Sequence, residues 1–176
     1  MTTTKWKIDA GHSEVQFKVK HLMISNVSGT FKGFSGAVES GSDDFSNASI
    51  AFEIDTTTID TNQKERDEHL KSPLFLNTEK FPKITFIGKL QKKDGDYELR
   101  GNLTLCGVAK NVSMAVDYTG TGQGRFGDTR AGFEVSGKIN RKDFGLNFSL
   151  LTDTGSVVVG EEVKLHFDIQ LLKQVV

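Results

Sequence analysis

The sequence predicts an all-β fold, an antiparallel β-barrel of about eight strands, in a single domain over residues 1–176. Three observations predict it. Apolar and polar residues alternate with period two in one run after another. Glycine-rich turns separate the runs. The 176 residues include 18 Gly and 13 Phe but only 2 Pro, which suits long twisted strands around an apolar interior and not a disordered chain.

The runs follow in order. Val15, Phe17 and Val19 alternate with Glu14, Gln16, Lys18 and Lys20. Val27, Gly29 and Phe31 are in phase, but Phe34, Gly36 and Val38 are not, which predicts a bulge or sharp bend near Gly33. Ile50, Phe52 and Ile54 form the next face, then Ile84, Phe86, Gly88 and Leu90. Asp94-Gly95 marks a hairpin before Tyr97, Leu99, Gly101, Leu103 and Leu105. Val112, Met114, Val116 and Tyr118 precede Ala131, Phe133, Val135, Gly137 and Ile139. Val163, Leu165, Phe167, Ile169 and Leu171 come last. Strands with one dry and one wet face are antiparallel strands. Closure into a barrel hides their edges, and several runs are longer than sandwich strands usually are.

One connection, from about residue 56 to 83, does not alternate. Long connections of this kind are often functional. Asn62-Gln63-Lys64-Glu65 reads as a capping box opening a short helix through about Lys71, and Ser72-Pro73 ends it. Leu70 is its single aliphatic residue, so it is no core helix; Arg66 and Asp67 are expected to tie it to the barrel rim. Leu74, Phe75, Leu76 and Phe81 follow as an apolar flap for one end of the barrel.

Composition excludes several classes. Lys and Arg number 22 against 23 Asp and Glu, and no basic stripe is visible, which argues against a nucleic-acid partner. One cysteine, Cys106, excludes an intramolecular disulfide and any multi-cysteine metal site. No apolar run reaches the ~18 residues of a membrane-spanning helix. Met1-Thr2-Thr3-Thr4 carries no signal-like apolar region, so a cytoplasmic location is expected, or a periplasmic one where a signal has been removed.

The motifs that resemble chemistry are weak. Gly122-Gln123-Gly124-Arg125-Phe126-Gly127 fits G-x-G-x-x-G but joins two antiparallel runs, so a glycine-rich hairpin is expected. Asp143-Phe144-Gly145 lacks every other part of a kinase. His12, His21, His69 and His166 show no metal-ligand spacing, so no metal and no cofactor is expected. Ser13 beside His12 opens a strand rather than a nucleophile elbow, and Cys106 at a turn has no base near it in sequence.

Parity gives a better lead. His21 continues the inward phase of Val19, and Arg141 that of Ile139, so both should point inward at strand ends. A cation at an apolar mouth needs a partner. Either a carboxylate such as Asp67 or Asp143 supplies it, or the polar head of an apolar ligand does. Arg66 is a third candidate, since guanidinium suits oxyanions. The candidate tail-binding lining comprises Phe17, Val19, Phe31, Phe52, Ile54, Phe75, Phe86, Leu103, Met114, Phe133, Val135 and Phe167. The phenylalanines among them either line a tunnel or plug it.

Together these residues resemble the YceI-like family. The resemblance rests on Trp6-Lys7-Ile8-Asp9 with His12-Ser13, Phe17 to His21, Gly29-Thr30-Phe31, Thr61-Asn62, Arg66 to Leu70 and Phe81-Pro82. It continues through Gly101 to Val108 and Ile139 to Leu146, so it covers nearly the whole chain in order. It implies a bacterial, lipocalin-like barrel that binds a long isoprenoid or similar lipid, for storage or transport, with no catalytic step and with a homodimer as one assembly. The competing expectations are an enzyme acting on a bound lipid, built around His21, and a stress-response or structural protein whose cavity is incidental.

Overall fold

The computed structural model describes residues 3–22, 24–146 and 159–175. Its strands are β1 (Thr4–Ile8), β2 (Glu14–His21), β3 (Ser25–Phe31), β4 (Phe34–Ser40), β5 (Ala48–Asp55) and β6 (Ile59–Asp60). They continue with β7 (Lys83–Lys93), β8 (Asp96–Leu105), β9 (Val108–Gln123), β10 (Thr129–Asn140) and β11 (Val159–Lys173). Helix α1 (Lys64–Lys71) is the α-helix among the described residues.

The strands form one antiparallel sheet ordered β1-β4-β5-β7-β8-β9-β10-β11-β2-β3-β6, and β1 also pairs with β11. That last pairing closes the sheet. Three consecutive staves of the barrel are each broken once. β1 and β2 are separated by a 3-10 turn at Ala10–His12, β3 and β4 by Lys32-Gly33, and β5 and β6 by a 3-10 turn at Thr56–Thr58. Counting each broken pair as one stave, the barrel has eight, the number predicted from the alternation. Closure leaves no long unpaired edge.

The phase slip near Gly33 is a bend between strands. The Gly33 amide donates to Thr58 Oγ1 at 2.9 Å and its carbonyl accepts from the Asp55 amide at 2.8 Å, so the two breaks brace one another. β1 is too short for alternation to mark, with only Trp6 and Ile8 packed toward the core.

The two ends of the barrel differ. At the aromatic end, the β4–β5 loop folds inward and buries Phe45 to 1% exposure. Its ring lies 5.1 Å from Trp6, 5.5 Å from Tyr118 and 5.0 Å from Phe133. Tyr97 Oη donates to the Asp44 carbonyl and pins the loop. At the other, connection end lie α1, the Cys106-Gly107 turn and a 3-10 turn at Arg141–Phe144.

Helix α1 starts differently from the expected capping box. Gln63 holds the N-cap position without a side-chain cap bond, and Asn62 before it is in the left-handed region at φ 64°. The tie to the barrel runs through Thr61. Its amide donates to Asp67 Oδ1 at 2.8 Å, and its hydroxyl accepts from Arg66 Nε at 2.8 Å while donating to the same carboxylate. The flap is divided. Leu76 packs on the core and Phe81 lies under Gly107, but Leu74 stands 71% exposed in solvent.

Candidate functional site

The inward residues of the eight staves enclose a cavity of about 140 Å³. Every inward side chain on it is apolar; Gln16 touches it from the outward parity of β2. Phe17, Phe31, Phe52, Ile54 and Phe86 line it from one half of the barrel. Leu103, Met114, Phe133, Val135 and Phe167 line it from the other. Val19 and Phe75 do not: Val19 sits above the cavity toward the end of β2, and Phe75 stacks edge-on against His69 at 4.6 Å, outside the barrel. Phe45 also lines it, and alternation gave no sign of that, since a lone Phe in a polar loop carries no period.

Packing is uneven around this space. Met114, Val116 and Phe133 are buried, whereas Phe17, Phe34, Phe52 and Phe167 face inward yet remain half-buried. Phe52 stands between two of them, its ring centroid 6.2 Å from Phe34 and 6.0 Å from Phe167, ordinary aromatic spacings. Two inward glycines receive these rings. A Cβ at Gly36 would meet Phe52 Cδ2 at 3.1 Å, and one at Gly29 would overlap Phe17 Cζ and Cε1. Phe17 and Phe52 thus rest in glycine notches at the edge of the cavity, while Phe45 and Phe133 pack edge-on at its aromatic end. A dry cavity of about 150 Å³ holds one benzene-sized molecule, so a longer chain enters only as these rings move aside.

The three candidate head-group residues have different surroundings. Arg141 is 4% exposed. It donates from Nε to the Gly160 carbonyl at 2.9 Å, from Nη1 to Leu146 at 2.6 Å and from Nη2 to Val159 at 3.2 Å. Burial holds its pKa below the ordinary guanidinium value. These three acceptors are backbone carbonyls of the connection end. Arg66 spends Nε and Nη2 on Thr61, the latter on the carbonyl at 2.6 Å. His21 is half-buried at the end of β2, opposite Val159. Arg141 bonds the carbonyl of that same Val159, so β11 brings His21 and Arg141 together, while Arg66 stays beside β6.

The other motifs are structural. The 122–127 glycines form the β9–β10 hairpin, where the Gly124 amide donates to the Asp128 carbonyl at 2.7 Å. Asp143-Phe144-Gly145 closes a 3-10 turn, with Gly145 left-handed at φ 79° and Phe144 buried. Ser13 Oγ accepts the Gln170 amide at 2.9 Å, completing the sheet, and His12 Nδ1 bonds Asp9 at 2.7 Å. Cys106 Sγ donates to the Leu76 carbonyl at 3.5 Å, and burial pushes its thiol pKa up. Among the described residues no three His, Cys, Asp or Glu converge as metal ligands.

The comparisons with known proteins agree with this architecture. The YceI-like domain model matches residues 6–171. Protein YceI of Salmonella newport (strain SL254) is 40% identical over 173 residues, covering 97% of this chain and 87% of that protein. Among solved structures, Burkholderia cenocepacia BcnA superposes with a TM-score of 0.80 at 23% identity, covering 93% of this chain and 98% of that one. A polyisoprenoid binding domain from Saccharophagus degradans, described as implicated in plant cell wall breakdown, superposes with a TM-score of 0.69 at 15% identity, covering 96% and 98%. Motif order, closed eight-stave barrel and these matches together place the chain in the YceI-like family.

Proposed function

We propose that the chain binds one long apolar ligand, an isoprenoid or a similar lipid, along the inside of the barrel, and holds it without a chemical step. The observation that carries this reading is the interior itself: apolar inward side chains around a cavity, with a set of phenylalanine rings that stay half-buried. A barrel meant only as a core would be expected to bury those rings fully. Each methylene transferred into such a space contributes roughly 0.8 kcal/mol, against the cost of ordering a flexible chain. The polyisoprenoid binding domain of the same fold supports an isoprenoid as the ligand class.

His21 is the residue proposed to meet the polar head. Among the described residues its ring makes no side-chain hydrogen bond, whereas Arg66 donates to Thr61 and Arg141 to backbone carbonyls. The test is solvent extraction of purified protein followed by mass spectrometry, with uptake of added polyprenol measured alongside. A co-purified isoprenoid or fatty chain near one per barrel is expected. A clean extract together with no uptake sinks the proposal and leaves the interior as plain core.

A further inference from the structure

The outer wall carries two rows of like charge. On β10, β11 and β2 the register sets Lys138 opposite Lys164, and Lys164 opposite Lys18. Four residues along the strands, Asp117, Glu134, Asp168 and Glu14 form a second row on β9, β10, β11 and β2. Like charges directly opposite one another destabilise a sheet. Local rules broken in this way mark surfaces retained for another purpose. The three lysines are exposed. Glu162 approaches Lys138 at 3.9 Å, but both side chains are more than half exposed, so the pair neutralises little. Lys20 extends the basic patch along β2.

The rows are ordered along the barrel. At ~3.3 Å per residue they lie ~13 Å apart, with the lysines toward the connection end and the carboxylates toward the aromatic end. At that same connection end, two large apolar side chains stand in solvent: Ile24, 81% exposed in the β2–β3 turn, and Leu74, 71% exposed in the flap. Basic side chains at the same end of the barrel as protruding apolar ones suit a negatively charged interface with an oily layer beneath it.

We propose that this end docks on an anionic lipid bilayer, with the Lys18–Lys164–Lys138 row over the headgroups, Ile24 and Leu74 entering the interface, and the acidic row held away from it. The inference deepens the lipid-binding reading, since it turns the end of the barrel with half-buried inward residues toward a membrane.

The test is co-sedimentation of the full chain with vesicles of phosphatidylcholine alone, or of phosphatidylcholine and phosphatidylglycerol in equal parts, with no isoprenoid present. Binding is expected only to the second, and weakening with added salt. Each lysine near such a surface contributes about fivefold in partition, so Lys18→Gln/Lys138→Gln/Lys164→Gln should lose about a hundredfold. Ile24→Ser/Leu74→Ser should lose the part of the binding that resists salt. Uptake of polyprenol delivered from cyclodextrin should be the same in parent and triple variant. Equal sedimentation with both vesicle types, or no loss in the triple variant, overturns docking. So does a dimer in size exclusion that the triple variant splits while vesicles stay unbound, which would assign the rows to a second copy. Absent polyprenol uptake with intact vesicle binding overturns the ligand reading alone.

Discussion

The ring of Phe17 lies over Gly29, so close that any side chain at residue 29 would overlap its Cε1 and Cζ atoms. The two residues are register partners on β2 and β3. Gly29 carries no left-handed strain, so an added methyl group acts through space alone. Thr61 Cγ2 blocks the other side at 2.9 Å, and the ring must swing into the cavity. Gly29→Ala should therefore fold, with a loss of about 1–3 kcal/mol from overpacking, and should take up less apolar ligand. Titration with a fluorescent fatty-chain probe, beside a urea melt, checks both halves. Unchanged uptake would show that the ring does not border the ligand path.

Phe52→Ala should act in the opposite direction. Phe52 stands between Phe34 and Phe167, and its removal widens the cavity where those rings meet. Ligand-free protein should lose about 3 kcal/mol, and saturating ligand should restore part of that through mass action. Thermal melts with and without polyprenol measure the difference. An identical shift in parent and variant would place the ligand elsewhere.

Arg141→Lys should be costly despite keeping the charge. The guanidinium fork satisfies carbonyls at Leu146, Val159 and Gly160 from one buried position, and an ammonium group cannot match that geometry. A fall of about 3 kcal/mol in unfolding free energy is expected, seen as a lower urea midpoint at unchanged slope. Stability equal to the parent would free Arg141 for a ligand-binding role.

Asp9 gives the fold one acid-sensitive tie. Its carboxylate accepts from Arg130 at 2.6 Å and from His12 at 2.7 Å. Arg130 first, and His12 next, hold its pKa below the ordinary 3.8. A lowered folded-state value contributes stability that is complete above the unfolded value and lost as pH falls through the folded one. The pair is partly exposed, so the contribution is at most about 1 kcal/mol. Asp9→Asn should lower stability at neutral pH by about that much and flatten its dependence below pH 3.8. Urea melts across that range check it; parallel curves for parent and variant would remove Asp9 from the acid response.

Cys106 should label slowly. Burial raises its pKa, and the reactive thiolate is scarce at neutral pH. Ellman's reagent should react far faster once urea unfolds the chain. Rapid labelling of native protein would mean that the connection end opens readily.

The strands were legible because period two survives wherever one face is dry. Ile84 to Leu90 and Val163 to Leu171 both fall where alternation put them. Phe45 was not legible, since its burial depends on a loop turning inward and a single residue has no period. The capping box misled: Gln63 holds the N-cap position and the Asn62 backbone is left-handed, which side-chain identity alone does not reveal. The proposed ligand class came from the resemblance, and no residue pattern pointed to it alone. The surroundings of His21, Arg66 and Arg141 separated only when their hydrogen-bond partners were visible, since parity places a side chain at a mouth and says nothing of what meets it there.

The seam that closes the barrel joins the two ends of the chain. Trp6 pairs with Lys173, and the Gln174 amide donates to the Lys5 carbonyl at 2.8 Å. Neighbouring hairpins from β7 to β10 form between residues close in sequence, whereas this seam must wait for the longest loop the molecule possesses. Closure is therefore the late event of folding. A chain whose ends were joined by a short linker and reopened at Asp94-Gly95 would turn that slow reunion into one more local hairpin, and would be expected to reach the same barrel sooner.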